Sequence, residues 1–310
     1  MKPKVFIDGE HGTTGLQIRT RLAGRDDLSV LSIPVERRKD QAARAEFLNA
    51  ADIAILCLPD DAARESVSLI ANDNTRVIDA STAHRVADGW AYGFPEMDRS
   101  QSAAISAAKR IANPGCWPQG PIAVLRPLIA AGLLPADYPV TMNGVSGYTG
   151  GGRAMVEDYV GKGDDAPEFL PYGLTFQHKH VPELRAYAGL ARDPLMQPAV
   201  GNFAQGMITA VPLQLGGLER VPTGAELHAA IADHYAGIKD GFVEVAPLAA
   251  LERVPEINPE QYNDTNRMKL YVFANDKRAQ ALLIAVYDNL GKGASGAAVQ
   301  NMDLVIRTAF

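Results

Sequence analysis

In the first hundred residues, short apolar runs alternate with segments in which apolar residues recur at helical spacing. Residues 53–58 form a continuous apolar run, as expected of a strand buried on both faces of a sheet. The other strand candidates are residues 5–7, 28–33 and 76–79, and the helix candidates are 14–22, about 40–49 and 60–70. Strand and helix in strict rotation predict an α/β fold with a Rossmann-type, doubly wound parallel sheet and right-handed crossovers.

The regular alternation of strand and helix candidates ends after residue 116. Residues 120–131 have a helical pattern, and residues 140–152 are rich in glycine. Strand-like segments follow at 207–215, 268–274 and 281–287, separated by long connections. Thr223 and Glu226 form a capping-box signature, and residues 294–310 are spaced like an amphipathic helix. Strands with few intervening helices predict a second, α+β domain built on a mixed sheet.

Composition narrows the class of protein. The 310 residues are 47% hydrophobic and 21% charged, with a net charge of −6, so we expect a globular, cytoplasmic protein of one large or two ordinary domains. This balance gives no overall attraction to nucleic acid or anionic lipid. The longest apolar run, 281–287, is far shorter than the ~20 residues of a membrane helix, and residues 1–10 lack the core of a signal peptide.

A glycine-rich segment directly follows the first predicted strand and opens the first predicted helix. It contains Gly9, Gly12 and Gly15, with Thr13 and Thr14 before the last glycine. Glycines let the backbone approach a pyrophosphate, which then binds N–H groups at the helix start. We therefore expect these residues to bind a dinucleotide, while a glycine turn that binds nothing is the alternative.

The residues after the second strand bear on which dinucleotide binds. Glu36 lies about where an acidic residue binds the ribose of NAD. Arg37, Arg38 and Lys39 follow it, where cations could hold the 2′-phosphate of NADP. The pattern favours NADP, although an exposed, charged helix start would look the same.

Cys116 is the candidate nucleophile. Pro114 and Gly115 predict a turn before it, and Pro118 suits the first turn of a helix. At a helix N-terminus the dipole and N–H groups stabilise a thiolate, which covalent catalysis requires. The alternative is a small cysteine buried in a turn. Cys57, in an apolar run, is predicted to be a core residue, and two cysteines cannot form a disulfide framework or a four-cysteine zinc site.

A cysteine nucleophile usually works with a histidine. The segment from His178 to Glu183 carries two histidines two residues apart, and His180 is the better candidate partner for the thiolate. These histidines could also be metal ligands, but no third ligand has a fitting spacing, so we expect no metal.

Several motifs occur in order: the glycine loop, Asp79–Arg85, Gly93–Glu96, Asn113–Cys116, His180–Glu183 and the closing segment 292–301. Together they resemble the N-acetyl-γ-glutamyl-phosphate reductases of arginine biosynthesis, in particular their shorter variant. The resemblance covers nearly the whole chain, and it extends more widely to the aspartate-semialdehyde dehydrogenases.

The resemblance implies an NADPH-dependent reduction of an acyl phosphate to a semialdehyde. Cys116 would form a thioester, and His180 would polarise the carbonyl or transfer the proton. It assigns Arg85, Asn113, Ser146 and Arg153 to substrate binding, although the loop around Tyr148 and Thr149 carries extra residues relative to the longer variants. Ser81 and Asn289 are assigned to the cofactor, and Gly296 and Asn301 to the neighbourhood of the nicotinamide.

The same resemblance sets the expected domain limits and assembly. Residues 1–115 with 292–310 would form the NADP-binding domain, and 116–291 the catalytic and dimerisation domain. A homodimer or homotetramer is expected. Two other functions stay open: a sister enzyme that reduces another acyl phosphate, and a protein without catalysis that binds NADP(H), such as a redox sensor.

Overall fold

The computed structural model of the chain describes residues 2–38, 40–239, 241–248 and 257–310, so Lys39 lies outside the described residues. The strands are β1 (Lys4–Asp8), β2 (Ser29–Leu31), β3 (Ile53–Leu56), β4 (Arg76–Asp79), β5 (Ala91–Tyr92), β6 (Arg110–Ala112), β7 (Thr141–Gly147), β8 (Phe169–Pro171), β9 (Leu195–Gly201), β10 (Met207–Gln214), β11 (Val243–Val245), β12 (Met268–Asn275) and β13 (Gln280–Tyr287). The α-helices are α1 (Thr13–Leu22), α2 (Gln41–Ala50), α3 (Asp60–Ser68), α4 (Gln101–Ala107), α5 (Cys116–Ala130), α6 (Gly152–Lys162), α7 (Val181–Ala188), α8 (Gly224–Ala236) and α9 (Gly296–Ala309).

The chain divides into two compact units. The first comprises Met1–Pro95, Ser100–Gly115 and Ala294–Phe310, and the second comprises Glu96–Arg99 and Cys116–Gly293. From the sequence, we expected both 96–99 and 292–293 to belong to the first unit, the predicted NADP-binding domain. Both segments fall in the second unit, where Glu96 and Lys292 form a buried ion pair.

The first unit contains a parallel sheet with the strand order β2-β1-β3-β4-β6-β5. Alternate side chains of β1 enter different cores: Val5 and Ile7 pack with residues of α1 and α9, and Phe6 packs with residues of α2 and α3. Helices therefore cover both faces of this sheet, and the predicted doubly wound architecture is confirmed.

The second unit contains a mixed sheet with the strand order β11-β12-β13-β10-β7-β9-β8. The pairs β7–β9 and β11–β12 are parallel, and the pairs of β13 with β10 and β12 are antiparallel. Helices α5 and α8 pack against one face, onto β12, β13 and β10. The predicted mixed sheet is confirmed, and Thr223 caps the N-terminus of α8 with the predicted capping box.

Some elements were not predicted. Strands β5 and β6 contain two and three residues, too few for a periodic pattern. Helix α5 begins at Cys116, as the position of Pro118 predicts, and so extends beyond the helical pattern of residues 120–131, because a proline in the first turn removes no helical hydrogen bond. None of the described helices is long and apolar enough to cross a membrane.

Candidate active site

The glycine loop runs from the end of β1 into α1. Gly9 has a φ of +88°, and a Cβ at this position would lie 2.4 Å from the carbonyl oxygen of Cys57. A Cβ at Gly15 would lie 2.3 Å from the carbonyl oxygen of Gly9, and the Gly12 N–H donates to that oxygen over 3.0 Å. A side chain at Gly9 or Gly15 would collide with these backbone atoms, so the loop can adopt this conformation only with glycine at both positions.

Gly12 is also the N-cap residue of α1. It has no side chain that could bond the first-turn amides, which belong to Thr13, Thr14 and Gly15. Backbone N–H groups at a helix start, reached through a loop without bulky side chains, form a cradle that fits a pyrophosphate.

The predicted ribose-binding residues follow β2 in the same unit. Arg37 donates to Glu46 over 3.1 Å and lies 3.6 Å from Asp40, so its charge is partly balanced by acidic side chains. Glu36 and Arg38 are exposed. Of the two described cations, Arg38 is the more accessible to a 2′-phosphate.

The loop after β4 contains Ser81. Its hydroxyl donates to Asp79 over 2.7 Å and accepts from the Ala83 N–H over 3.1 Å. The ring of His84 stacks on Trp90 with a centroid distance of 4.1 Å, and its Nδ1 lies 2.6 Å from the same Asp79 carboxylate. This carboxylate therefore organises the loop, and Ser81 is a buried member of that network.

Arg85 and Asn113 form a second polar network in the first unit. Arg85 is 7% exposed and donates to the carbonyl oxygens of Asn113, over 3.1 Å, and Ala80, over 3.2 Å. The Asn113 amide donates to Ala294 and accepts from Asn301, over 3.0 and 3.1 Å. The residue three positions before the cysteine is thus held through its backbone and its side chain.

Cys116 begins α5 in the second unit, as predicted from Pro118. Gly293 lies against it: a Cβ at Gly293 would lie 3.0 Å from the Cys116 Cβ. The Tyr287 hydroxyl donates to the Cys116 carbonyl over 2.7 Å. Residues at the end of β13 and in the turn that follows it therefore contact the candidate nucleophile and fix its position.

An aromatic cluster connects the start of α5 with the predicted histidines. The ring of Tyr172 lies 6.4 Å from that of Trp117 and 5.8 Å from that of His178, and the His178 and His180 rings lie 4.8 Å apart. Burial and the neighbouring Cys116 both raise the pKa of Tyr172, so its phenol remains a proton donor at neutral pH. The second unit thus brings His180 into one group of ring contacts with Trp117, the residue that follows Cys116.

The two histidines have different roles in this cluster. Burial lowers the pKa of His178 to about 4, and the positive charge of Lys179 adds to this effect, so His178 is neutral at pH 7. Its Nδ1 accepts the backbone N–H of His180 over 3.2 Å, which assigns the proton of neutral His178 to Nε2. His180 is 5% exposed at the N-cap of α7, and its Nε2 lies 4.0 Å from the buried carboxylate of Glu183.

Three further predicted residues lie in the second unit. Ser146 is buried on β7. Asn289 is buried and uses both amide atoms within the chain, accepting from the Gly206 N–H over 2.7 Å and donating to Thr149 over 3.1 Å. The Arg153 side chain is 82% exposed and pairs with Glu157 over 2.6 Å. A substrate carboxylate would compete with that partner.

Several residues of these networks were not predicted from the sequence: Tyr172, Glu183, Tyr287 and the Glu96–Lys292 pair. Glu183 could have been found, because an acidic residue three positions after His180 near a helix start lies one turn away. Tyr172 and Tyr287 occur in apolar segments and look like ordinary core aromatics. Glu96 and Lys292 are 196 residues apart, and no local pattern pairs them.

Comparison with known protein families matches both units. Residues 30–105 match the model described as semialdehyde dehydrogenase, NAD binding domain. Residues 116–289 match the model described as semialdehyde dehydrogenase, dimerisation domain. The second match begins at Cys116 itself.

Solved structures show the same fold at low sequence identity. An aspartate semialdehyde dehydrogenase II from Vibrio cholerae, complexed with ASA, has a TM-score of 0.72 and 16% identity, with all of both chains covered. An aspartate semialdehyde dehydrogenase with NADP from Candida albicans has a TM-score of 0.67 and 13% identity, with 99% of both chains covered.

Curated relatives are far more similar in sequence. N-acetyl-gamma-glutamyl-phosphate reductases of Mesorhizobium japonicum and Chelativorans sp. are each 80% identical over 306 residues, which is 99% of both chains. The reductase of Brucella anthropi is 55% identical over 312 residues, again covering 99% of both chains. This identity extends over the full length of the chain and therefore over both units. The chain thus belongs to the N-acetyl-γ-glutamyl-phosphate reductase family.

Proposed function

We propose that the chain catalyses the NADPH-dependent reduction of N-acetyl-γ-glutamyl phosphate to the corresponding semialdehyde and phosphate, in arginine biosynthesis. The observation that carries this proposal is the Cys116 thiol at the first residue of α5, which influences the pKa of Tyr172, whose ring packs on the His178 and His180 pair. A nucleophile, a proton-transferring side chain and phenol donors in one cluster fit acyl transfer through a thioester.

The loop of Gly9, Gly12 and Gly15 fits the pyrophosphate of the cofactor, because side chains at its two ends would collide with backbone atoms. Arg38, exposed after β2, is the described cation best able to bind a 2′-phosphate, and Arg37 would have to leave Glu46 in part to join it. When bound, NADPH supplies the hydride that reduces the acyl group.

In the first half of the reaction, the Cys116 thiolate forms a bond to the acyl carbon. The bond between that carbon and the phosphate oxygen breaks, and inorganic phosphate leaves with the electron pair. The first-turn N–H groups of α5 and the Tyr172 hydroxyl stabilise negative charge in this region. In the second half, the C–S bond of the reduced adduct breaks, the electron pair returns to the Cys116 sulfur, and the semialdehyde leaves. His180 donates to the carbonyl oxygen while negative charge develops there, and takes the proton back on collapse.

Substrate binding is assigned to Arg85, Asn113, Ser146 and Arg153. Arg85 carries a buried positive charge beside the Asn113 backbone and is the candidate for the phosphoryl group. Arg153 is exposed on α6 and is the candidate for the α-carboxylate, in competition with Glu157.

The reverse reaction tests the proposal, since the acyl phosphate is unstable. Enzyme, N-acetyl-glutamate 5-semialdehyde, phosphate and NADP⁺ are mixed, and the absorbance of the reduced nicotinamide is followed. Parallel reactions use NAD⁺, aspartate semialdehyde, or no phosphate. We expect phosphate-dependent reduction of NADP⁺ with the acetylated substrate. A signal with aspartate semialdehyde alone would assign a sister reaction, and no signal from folded protein that binds NADPH would favour the role without catalysis.

We also propose that the chain forms a homodimer through the face of the mixed sheet opposite α5 and α8. Tyr271 and Phe273 stack on this face with a centroid distance of 6.2 Å, and their cross-strand partners are Ile284 and Leu282. All four side chains are partly exposed, whereas their strand neighbours on the other face are buried. An apolar sheet face left open to solvent favours a self-complementary partner surface, in keeping with a domain of the dimerisation type.

A further inference from the structure

The Tyr287 hydroxyl bridges the first turn of α5. It donates to the carbonyl oxygen of Cys116 over 2.7 Å and accepts the Gly120 N–H over 3.2 Å. In a regular helix that N–H bonds the carbonyl four residues before it, which is the carbonyl of Cys116. One side chain from β13 therefore bonds both ends of the turn that carries the thiol.

The composition of this turn explains why outside support matters. Pro121 has no N–H, so the carbonyl of Trp117 lacks the bond that the residue four positions later donates in a regular helix. The first turn of α5 thus loses one of the backbone bonds that would hold it to the next turn. The two bonds of the Tyr287 hydroxyl, to Cys116 and to Gly120, support this part of the helix.

Packing holds the bridge in place. Tyr287 is fully buried, and a Cβ at Gly120 would lie 3.0 Å from its ring and 2.1 Å from Thr209 Oγ1. Glycine at 120 therefore lets α5 approach β10 and β13 closely enough for the hydroxyl to reach the Cys116 carbonyl. Thr209 Oγ1 lies beside the same glycine, and its interaction with Tyr287 opposes the rise in the pKa of that phenol that burial causes.

We propose that Tyr287 is a positioning residue for the nucleophile: its hydroxyl holds the backbone of Cys116 so that the thiol stays at the N–H groups of the first turn. Without the hydroxyl, the Cys116 carbonyl and the Gly120 N–H lose a buried partner, and the turn shifts to compensate. The thiol then moves relative to the groups that stabilise its anion. This inference rests on the proposed role of Cys116 as the nucleophile.

The test compares Tyr287→Phe with Tyr235→Phe. Tyr235 is a matched control, because its buried hydroxyl donates to the carbonyl of Ala123 in the same helix, over 2.8 Å and two turns further on. Labelling of Cys116 by iodoacetamide is followed between pH 5 and 10 by mass spectrometry of its peptide, so that labelling of Cys57 does not interfere. The kcat and KM values of each folded variant are measured in the reverse assay.

We expect Tyr287→Phe to slow labelling at pH 7 about tenfold, raise the pH midpoint of labelling and lower kcat with little change in KM. Tyr235→Phe should match the parent protein in all three, even if both variants lose similar thermal stability. Thr209→Val leaves Tyr287 itself intact. We expect it to raise the pH midpoint of labelling by less than Tyr287→Phe does. This variant provides the test if Tyr287→Phe does not fold.

Two results would overturn the inference, and they are distinguishable. If Tyr287→Phe and Thr209→Val both label like the parent, the hydroxyl does not position the thiol, and the proposed function is untouched. If Cys116 of the parent itself labels like an ordinary cysteine, with a midpoint at about 8.5, the proposed thiolate nucleophile fails and the inference fails with it.

Discussion

The two cysteines of the chain illustrate how position determines the chemistry of a thiol. Burial raises the pKa of Cys57, with further contributions from Asp79 and Asp8, so this thiol remains protonated and inert. Cys116 lies at the start of a helix and raises the pKa of the nearby Tyr172. The same residue type is thus a core side chain in one unit and the candidate nucleophile in the other.

Replacing each cysteine separates these roles. We expect Cys116→Ser to lower turnover by at least ~10³-fold, since a serine hydroxyl without a dedicated base is a poor nucleophile. Binding of NADPH, measured by fluorescence titration, should stay nearly unchanged. Cys57→Ala is the control and should retain turnover. Normal turnover of Cys116→Ser would exclude the thioester mechanism.

His178 makes stability depend on pH. Its pKa falls from 6.5 in the unfolded chain to about 4 in the native protein, so the unfolded state binds more protons between these values. Stability is therefore lost as the pH falls from 6.5 towards 4. We expect His178→Gln, which keeps an acceptor for the His180 N–H, to lose less free energy of unfolding over this range. Urea titrations at pH 7 and pH 5 measure the difference, and equal losses in the two proteins would contradict it.

At the scale of the secondary-structure elements, the close approach of α5 to the mixed sheet requires a small residue at Gly120. Gly120→Ala would place a Cβ 2.1 Å from Thr209 Oγ1, so the helix or the strand must move. We expect a loss of about 1–3 kcal/mol in the free energy of unfolding.

Gly161→Ala is the matched control for that substitution. It lies in α6 with no atom within 4 Å of the added Cβ, so the better helix propensity of alanine should leave stability unchanged or raise it by up to ~1 kcal/mol. Urea unfolding of the two variants gives the comparison. A Gly120→Ala protein as stable as the parent would show that the α5 contact can relax.

The Glu96–Lys292 pair connects segment 96–99 to the turn before α9. Lys292 is 0% exposed and its Nζ lies 2.7 Å from a Glu96 carboxylate oxygen, while the other oxygen also accepts the Phe242 N–H. Burial alone lowers the pKa of Lys292, and the Glu96 carboxylate opposes that shift. The carbonyl of Lys292 accepts from Gln119 of α5, so the pair also supports the turn that contains Gly293.

Removing one partner of the pair should therefore lower the free energy of unfolding more than removing the charges of both partners. We expect Lys292→Met to destabilise the protein by about 3–5 kcal/mol, because the Glu96 carboxylate is left buried without its cation. The double variant Lys292→Met with Glu96→Gln should recover part of that loss, since the amide is neutral and still accepts the Phe242 N–H. Thermal unfolding measures both, and additive losses would argue against a coupled pair.

At the scale of the whole molecule, the open face of the mixed sheet predicts self-association. Ile284→Glu places a charge among Tyr271 and its neighbours on that face, and burying it in a dimer would be costly. We expect this variant to be monomeric by sedimentation equilibrium, with the parent dimeric or larger. Val221→Glu is the control, because Val221 is also an exposed aliphatic residue but lies outside the sheet. A dimeric Ile284→Glu would place the interface elsewhere.

Local signals predicted much of the fold and the identity of the main candidate residues. Apolar runs marked β1, β3 and β4, the Thr223–Glu226 box marked the start of α8, and the glycine spacing marked the loop before α1. These features arise from contacts between residues a few positions apart, so the sequence contains them directly. The placement of Cys116 at a helix start follows from the same local rules.

Tertiary structure decided which distant residues support those candidates. Tyr287 reaches Cys116 across 171 positions, and Lys292 reaches Glu96 across 196. Such pairs depend on how helices pack on a sheet, which no local periodicity specifies. The sequence by itself therefore determined the parallel and mixed sheets and the residue types that carry the chemistry. Only the folded chain determined the hydrogen bonds and burial that set the position of Cys116 and the charge of His178.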